Sequence, residues 1–140
     1  MLWKKRFTPA ENLEPMARHR RILLFTRYPE SGKTKTRLIS SLGPVGAAGL
    51  QARMTQETLQ KIKRFSERWG SDYAVCLEGG TLEKARRWLG KAPVRIQGPG
   101  HLGEKMGRAF QEAFNQGAKQ VVLVGSDIPG LSEACFEEAF

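Results

Sequence analysis

Arg21-Ile-Leu-Leu-Phe-Thr-Arg-Tyr-Pro-Glu-Ser-Gly-Lys-Thr-Lys-Thr-Arg37 passes from an apolar run into a loop and then into helix-forming sequence. Ile22 to Phe25, bounded by polar residues and too short for a helix, reads as a strand buried on both faces. Tyr28 to Gly32 has the Pro, Ser and Gly of a loop. A helical stretch around Lys35 to Ser41 breaks near Gly43-Pro44, and a longer helix follows from about Val45 to Arg68. Along it Leu50, Met54, Thr58, Ile62 and Phe65 recur at three- to four-residue spacing.

The same strand-helix unit recurs outward from this stretch. Asp72 to Leu77 reads as a second strand, closed by Gly79-Gly80, and Thr81 caps a helix through Leu89. Pro93 to Gln97 reads as a third strand and Gly98 to Gly103 as a loop. Glu104 to about Gln116 reads as a helix with Met106, Phe110, Ala113 and Phe114 on one face. Gln120-Val-Val-Leu-Val124 is the clearest strand, and Ser132 caps a last helix. This alternation predicts a Rossmann-like, three-layer α/β/α arrangement with a mostly parallel sheet. If the four strands lie in the order 3-2-1-4, the order reverses between the first and the fourth. The loops leaving those two strands then share a crevice.

The 140 residues, 40% hydrophobic and 26% charged, fit one domain with a real core. The formal charge of +9 suits anionic partners, but much of it lies at Lys4, Lys5, Arg6, Arg18, Arg20 and Arg21. Residues 1–20 therefore read as a flexible basic arm and residues 21–140 as the α/β domain. A sequence that stops in a helix reads as the N-terminal portion of a fuller fold. No apolar run has the length of a membrane span, and Phe7 to Arg20 lacks the apolar core of a secretory signal. Cys76 and Cys135 form no CxxC pair, so zinc and thioredoxin readings have no support and a cytoplasmic location is expected.

Two segments carry the chemistry. Arg27, Lys33, Lys35 and Arg37 surround Gly32 in a loop between a strand and a helix, where free backbone N–H groups and the helix dipole receive phosphate. Gly32-Lys33-Thr34 matches the end of a Walker A loop, but Arg27 stands where its first glycine is required, which counts against a P-loop NTPase. Ser126-Asp127 follows the strongest strand, so Asp127 is placed to hold Mg²⁺ or Mn²⁺ against phosphate oxygens. A third, glycine-rich segment, Gly98-Pro-Gly-His-Leu-Gly103, allows a base or ribose to approach at Gly100 and Gly103. Its match to a dinucleotide fingerprint follows a weak strand and reads as chance, and His101 reads as an exposed loop residue.

Leu24-Phe-Thr-Arg-Tyr-Pro-Glu-Ser-Gly-Lys-Thr-Lys-Thr-Arg-Leu38, His101-Leu-Gly-Glu-Lys-Met106 and Val122-Leu-Val-Gly-Ser-Asp-Ile-Pro-Gly-Leu131 occur in that order. Together they resemble three motifs of a bacterial family of glycosyltransferase-like proteins, transferase 1 of the rSAM/selenodomain-associated system. The resemblance implies the nucleotide-diphospho-sugar transferase superfamily and a GT-A type of fold. It is also similar to the guanylyltransferases of molybdopterin and deazaflavin cofactor assembly. It implies that Gly32, Lys35 and Arg37 bind the nucleotide phosphates; Arg27, Pro29, Lys33, Gly100, Gly103 and Ser126, in the same three segments, are the further expected nucleotide-binding residues. It further implies that Lys35, Arg37 and Asp127 are catalytic, with Asp127 the divalent-metal ligand.

The expected function is metal-dependent transfer of a sugar from a nucleotide-diphospho-sugar to an acceptor the sequence does not identify. The alternatives are a nucleotidyltransferase using an NTP and a non-catalytic nucleotide-binding module. No nucleic-acid module is recognisable, and nucleic acid is not an expected partner.

Overall fold

The computed structural model describes residues 2–6, 20–30, 39–126 and 131–140. In chain order its elements are β1 (Leu2–Arg6), β2 (Arg20–Arg27), α1 (Ile39–Trp69), β3 (Asp72–Glu78) and α2 (Leu82–Leu89). They continue with β4 (Val94–Ile96), α3 (Leu102–Asn115), β5 (Gln120–Gly125) and α4 (Glu133–Ala139). The strands form one sheet in the order β1-β5-β2-β3-β4. β2, β3, β4 and β5 are parallel, and β1 runs antiparallel to β5. The 3-2-1-4 order expected of the four parallel strands is therefore present, with β1 added outside β5.

Successive side chains of a strand point to opposite faces, and the apolar runs use both. Ile22, Leu24, Val75, Val122 and Val124 pack with Leu59, Ile62, Phe65, Leu89 and Phe136, so α1, α2 and α4 cover one face. Leu23, Phe25, Ala74, Cys76, Val121 and Leu123 pack with Phe110 and Ala113, so α3 covers the other. The chain moves β2 to β3 to β4 in one direction with α1 and α2 on one face, then crosses back to β5 with α3 on the opposite face. Right-handed crossovers require that change of face when the direction reverses.

α1 is broken at Gly43, where φ 74° and ψ 166° interrupt the helix at the place the Gly-Pro pair predicts. Positive φ of this kind suits glycine. Beyond the break α1 carries Phe65, fully buried, with its ring 5.3 Å from that of Phe136 and 5.9 Å from that of Phe140.

Leu2–Arg6 departs from the arm expected over residues 1–20. It forms an edge strand with Leu2 opposite Val124 and Arg6 opposite Gln120. Trp3 packs against the α3 side of the core, and the Lys5 ammonium lies 5.4 Å from the Phe110 ring centroid. Lys4 and Lys5 gave the segment a charged, arm-like appearance, yet exposed lysines are what an edge strand tolerates and uses to discourage further pairing. Among the described residues, no helix is long and apolar enough to cross a membrane.

Phe65→Ala should cost about 3–5 kcal/mol of stability in urea denaturation, because the ring leaves a cavity between α1 and α4. Trp69→Ala, at a site 38% exposed, should cost clearly less.

Candidate functional site

β2 and β5 lie side by side and parallel, with Phe25 opposite Gly125. One residue further on, Thr26 and Ser126 stand at adjoining carboxyl ends, their hydroxyls 3.3 Å apart. The strand order reverses between these two strands, so the loops leaving them part toward opposite faces and leave a crevice.

The floor of that crevice is polar and buried. Gln51 Nε2 lies 2.9 Å from Thr26 Oγ1, 3.2 Å from Ser126 Oγ and 3.2 Å from Thr55 Oγ1. The Thr26 and Thr55 hydroxyls are 2.8 Å apart. Thr58 Oγ1 donates to the Met54 carbonyl at 2.9 Å and reaches the Ser126 carbonyl at 3.5 Å. Thr26, Gln51, Thr55, Thr58 and Ser126 are all buried. Buried hydroxyls and amides without partners cost free energy, so these groups hold one another in register. α1 supplies Gln51, Thr55 and Thr58 at i, i+4 and i+7, one face of a helix.

A second, charged arrangement flanks the floor. Arg27 pairs with Glu78 at 3.1 Å, and the other Glu78 oxygen meets Lys105 Nζ at 3.0 Å. The Lys105 hydrogen bond, assisted by Arg27, holds the Glu78 carboxyl below its ordinary range. Lys105 sits in the second turn of α3, so this bridge joins the carboxyl ends of β2 and β3 to the start of α3. Gln97 joins the same parts from below, donating to the Cys76 carbonyl at 2.9 Å and the Thr26 carbonyl at 3.2 Å. Arg27, Tyr28, Glu30, Glu78, Gly79 and Gly80 enclose a cleft of about 380 Å³. Gly80, at φ +69°, lies so close to Tyr28 that a Cβ there would stand 2.7 Å from the ring.

The glycine-rich segment after β4 shapes the entry to α3. A Cβ on Gly98 would stand 2.6 Å from Arg108 Nη1, which donates to the Gln97 carbonyl at 2.7 Å. His101 caps α3: its Nδ1 accepts from the Glu104 N–H at 3.2 Å, and Glu104 Oε1 accepts from the His101 N–H at 3.3 Å. Gly100 lies in this loop at φ +102°, and Gly103 is in the first turn of α3.

Of the residues singled out in the sequence, Arg27 and Ser126 come to neighbouring strand ends, and Pro29 lies just beyond β2. Gly100 and Gly103 lie at the entry to α3, whose Lys105 reaches the partner of Arg27. Gly32, Lys33, Lys35, Arg37 and Asp127 lie outside the described residues. Sequence reasoning passed over Thr26, Gln51, Thr55, Glu78 and Lys105. The available signal was the polar i, i+4, i+7 row that begins an otherwise apolar helix face. Neither cysteine is disulfide-bonded, and burial pushes the Cys76 thiol up to about 12, far from a reactive thiolate.

A family model described as "Uncharacterized protein conserved in bacteria (DUF2064)" matches residues 47–140. The chain belongs to the DUF2064 family. The match takes in Gln51, Thr55, Thr58 and Ser126, so most of the crevice floor falls in the DUF2064 region. The DUF2064 chain is also similar to a crystal structure described as that of a "putative nucleotide-diphospho-sugar transferase" from Desulfovibrio desulfuricans G20. The two share 37% identity with a TM-score of 0.78, over 86% of this chain and 52% of that one. The chain thus spans about half the length of that protein. No curated protein matches it.

Gln51→Ala should lower stability by about 1–3 kcal/mol in chemical denaturation, since it removes the amide on which three buried hydroxyls converge. Glu78→Gln should alter the pH dependence of the melting temperature. A carboxyl held low in the folded state stabilises above its unfolded pKa of about 4.3 and loses that contribution as pH falls through the folded value. The advantage of the unsubstituted protein over Glu78→Gln should be present at neutral pH and vanish in acid.

Proposed function

We propose that this DUF2064 chain binds the nucleoside diphosphate of a nucleotide-sugar donor in the β2/β5 crevice, as part of a protein that transfers the sugar to an acceptor. The observation that carries the reading is the pairing of Thr26 with Ser126 at a reversal of strand order, where α/β sheets receive ligands. Arg27-x-Pro29-x-x-Gly32-x-x-Lys35-Thr-Arg37 leaves one of these strands and Asp127 follows the other. The 37% identity to the D. desulfuricans protein adds support, as does the motif resemblance to the rSAM/selenodomain-associated transferases.

In this reading Gly32 and Lys33 present backbone and charge to the phosphates, and Arg27 holds the loop against β3 through Glu78. Gly100 and Gly103 leave room for the nucleoside. Lys35 and Arg37 stabilise the negative charge that builds on the departing nucleoside diphosphate as the anomeric C–O bond breaks, an electrostatic role. The donor set also suits a hard cation. One carboxylate, Asp127, beside substrate phosphates is how Mg²⁺ is commonly held, whereas Glu78 is already engaged by two cations. Mg²⁺ or Mn²⁺, when bound there, would neutralise diphosphate charge. The two free thiols accord with action in a reducing cytoplasm.

The test is the melting temperature of the purified chain against NDPs, NTPs and NDP-sugars, with and without Mg²⁺ or Mn²⁺. A ligand at about 100 times its Kd should add about 2.7 kcal/mol of stability. The expected result is a metal-dependent rise with an NDP-sugar, lost in Lys35→Ala and Asp127→Ala. A rise with an NTP and none with NDP-sugars would turn the reading to nucleotidyl transfer. An equal rise in Asp127→Ala would remove the metal role.

A further inference from the structure

β4 is the outer strand of the sheet on the side away from β1. Its pairing with β3 fixes which backbone groups remain open. Val75 N–H donates to the Pro93 carbonyl at 2.8 Å, and Gln97 N–H donates to the Leu77 carbonyl at 3.0 Å. Residues 93, 95 and 97 therefore turn toward β3, and the N–H and C=O groups of Val94 and Ile96 turn outward. Among the described residues no strand pairs with that edge.

The same edge borders the α2–β4 cleft, of about 570 Å³, lined by Arg86, Lys91, Val94 and Arg95 among others. Lys84, Arg86, Arg87, Lys91 and Arg95 face a single carboxylate, Glu83, between Thr81 and Gln97. Glu83 is taken by Arg87 at 2.6 Å. Arg86 and Lys91 have no ion pair among the described residues and are exposed. The cations straddle the edge. Arg86 and Lys91 belong to the α2 side, whereas Arg95 reaches Gln116 on the α3 side, 3.3 Å away. Ile96 is 53% exposed and Leu82 is 42% exposed, so apolar contact is available beside the charge.

We propose that β4 and the α2–β4 cleft form a docking site for an extended acidic segment of another protein, which adds to the sheet as a further strand. Main-chain hydrogen bonds to Val94 and Ile96 give the segment its direction, and alternating side chains reach both faces of the edge. Acidic groups on one face meet Arg86 and Lys91, and on the other Arg95. A second copy of this chain is disfavoured, because two β4 edges would bring like charges together. A nucleic acid would use the charge but not the row of outward N–H and C=O groups. The proposal is independent of the reading of the β2/β5 crevice.

Fluorescence binding to the chain would be measured with short labelled Glu-Val peptides of repeat Glu-Glu-Val-Val, which puts Glu on both faces of a strand, with Lys-Lys-Val-Val peptides as controls. Amide hydrogen exchange would be followed in parallel. Glu-Val peptides should bind, slow exchange at Val94 and Ile96, and weaken about tenfold or more with Arg86→Glu/Lys91→Glu. Arg95→Glu should weaken them as well, and N-methylation at alternate peptide amides should abolish binding with the protein unchanged. The proposal is overturned if Glu-Val peptides bind no better than the controls. It is equally overturned if N-methylation has no effect and a single-stranded oligonucleotide of equal charge binds as tightly, which would make the edge a general polyanion surface.

Discussion

β2 is hydrogen-bonded to a parallel neighbour on each side and buried from Ile22 to Thr26. Its alternating side chains must satisfy two separate apolar layers at once, one built by α1, α2 and α4 and the other by α3. A one-residue slip would exchange the two sets and place large side chains where small ones fit. The register of β3 and β5 is set by the same constraint, because both pair directly with β2. So is the direction of every crossover, since β2 is where the strand order turns back.

That central position also explains why the crevice is polar. Apolar burial ends with Phe25, and Thr26 stands at the level where the sheet stops and two loops diverge. Backbone groups at such a level lose their ladder partners, and buried polar groups need replacements. Gln51, Thr55 and Thr58 meet that need from α1, and Gln97 meets it from beyond β4. The result is a set of strand ends fixed by side chains from two further segments, α1 and the residue after β4, a suitable base for loops that carry function.

β2, β3 and β5 were legible because each is a short apolar run between polar boundaries, and β5, buried throughout, was the plainest; β4, with Arg95 between Val94 and Ile96, showed only through its place in the alternation of strands and helices. The break at Gly43 was legible because Gly-Pro is local chemistry. β1 was not, because an edge strand is stabilised by its partner's backbone and tolerates Lys4 and Lys5, which in sequence resemble a solvated arm. The crevice could be placed from strand order, but its floor could not. Gln51 and Thr55 are ordinary helix residues until the fold brings Ser126 beside Thr26. Glu78 gave no signal either, since its two cations come from β2 and α3.

The pairing of Leu2 with Val124 has a consequence for the order in which the molecule is made. β1 leaves synthesis long before β5 exists to receive it, whereas β2, α1 and β3 can associate as soon as they emerge. Contacts between such distant parts of a chain form slowly, because a long loop must close first. The β1–β5 pairing is therefore expected to form later than the β2–β3 pairing. Until then β5 presents an apolar edge, and the charges of Lys4, Lys5 and Arg6 are of the kind that keeps an unpaired strand from associating wrongly.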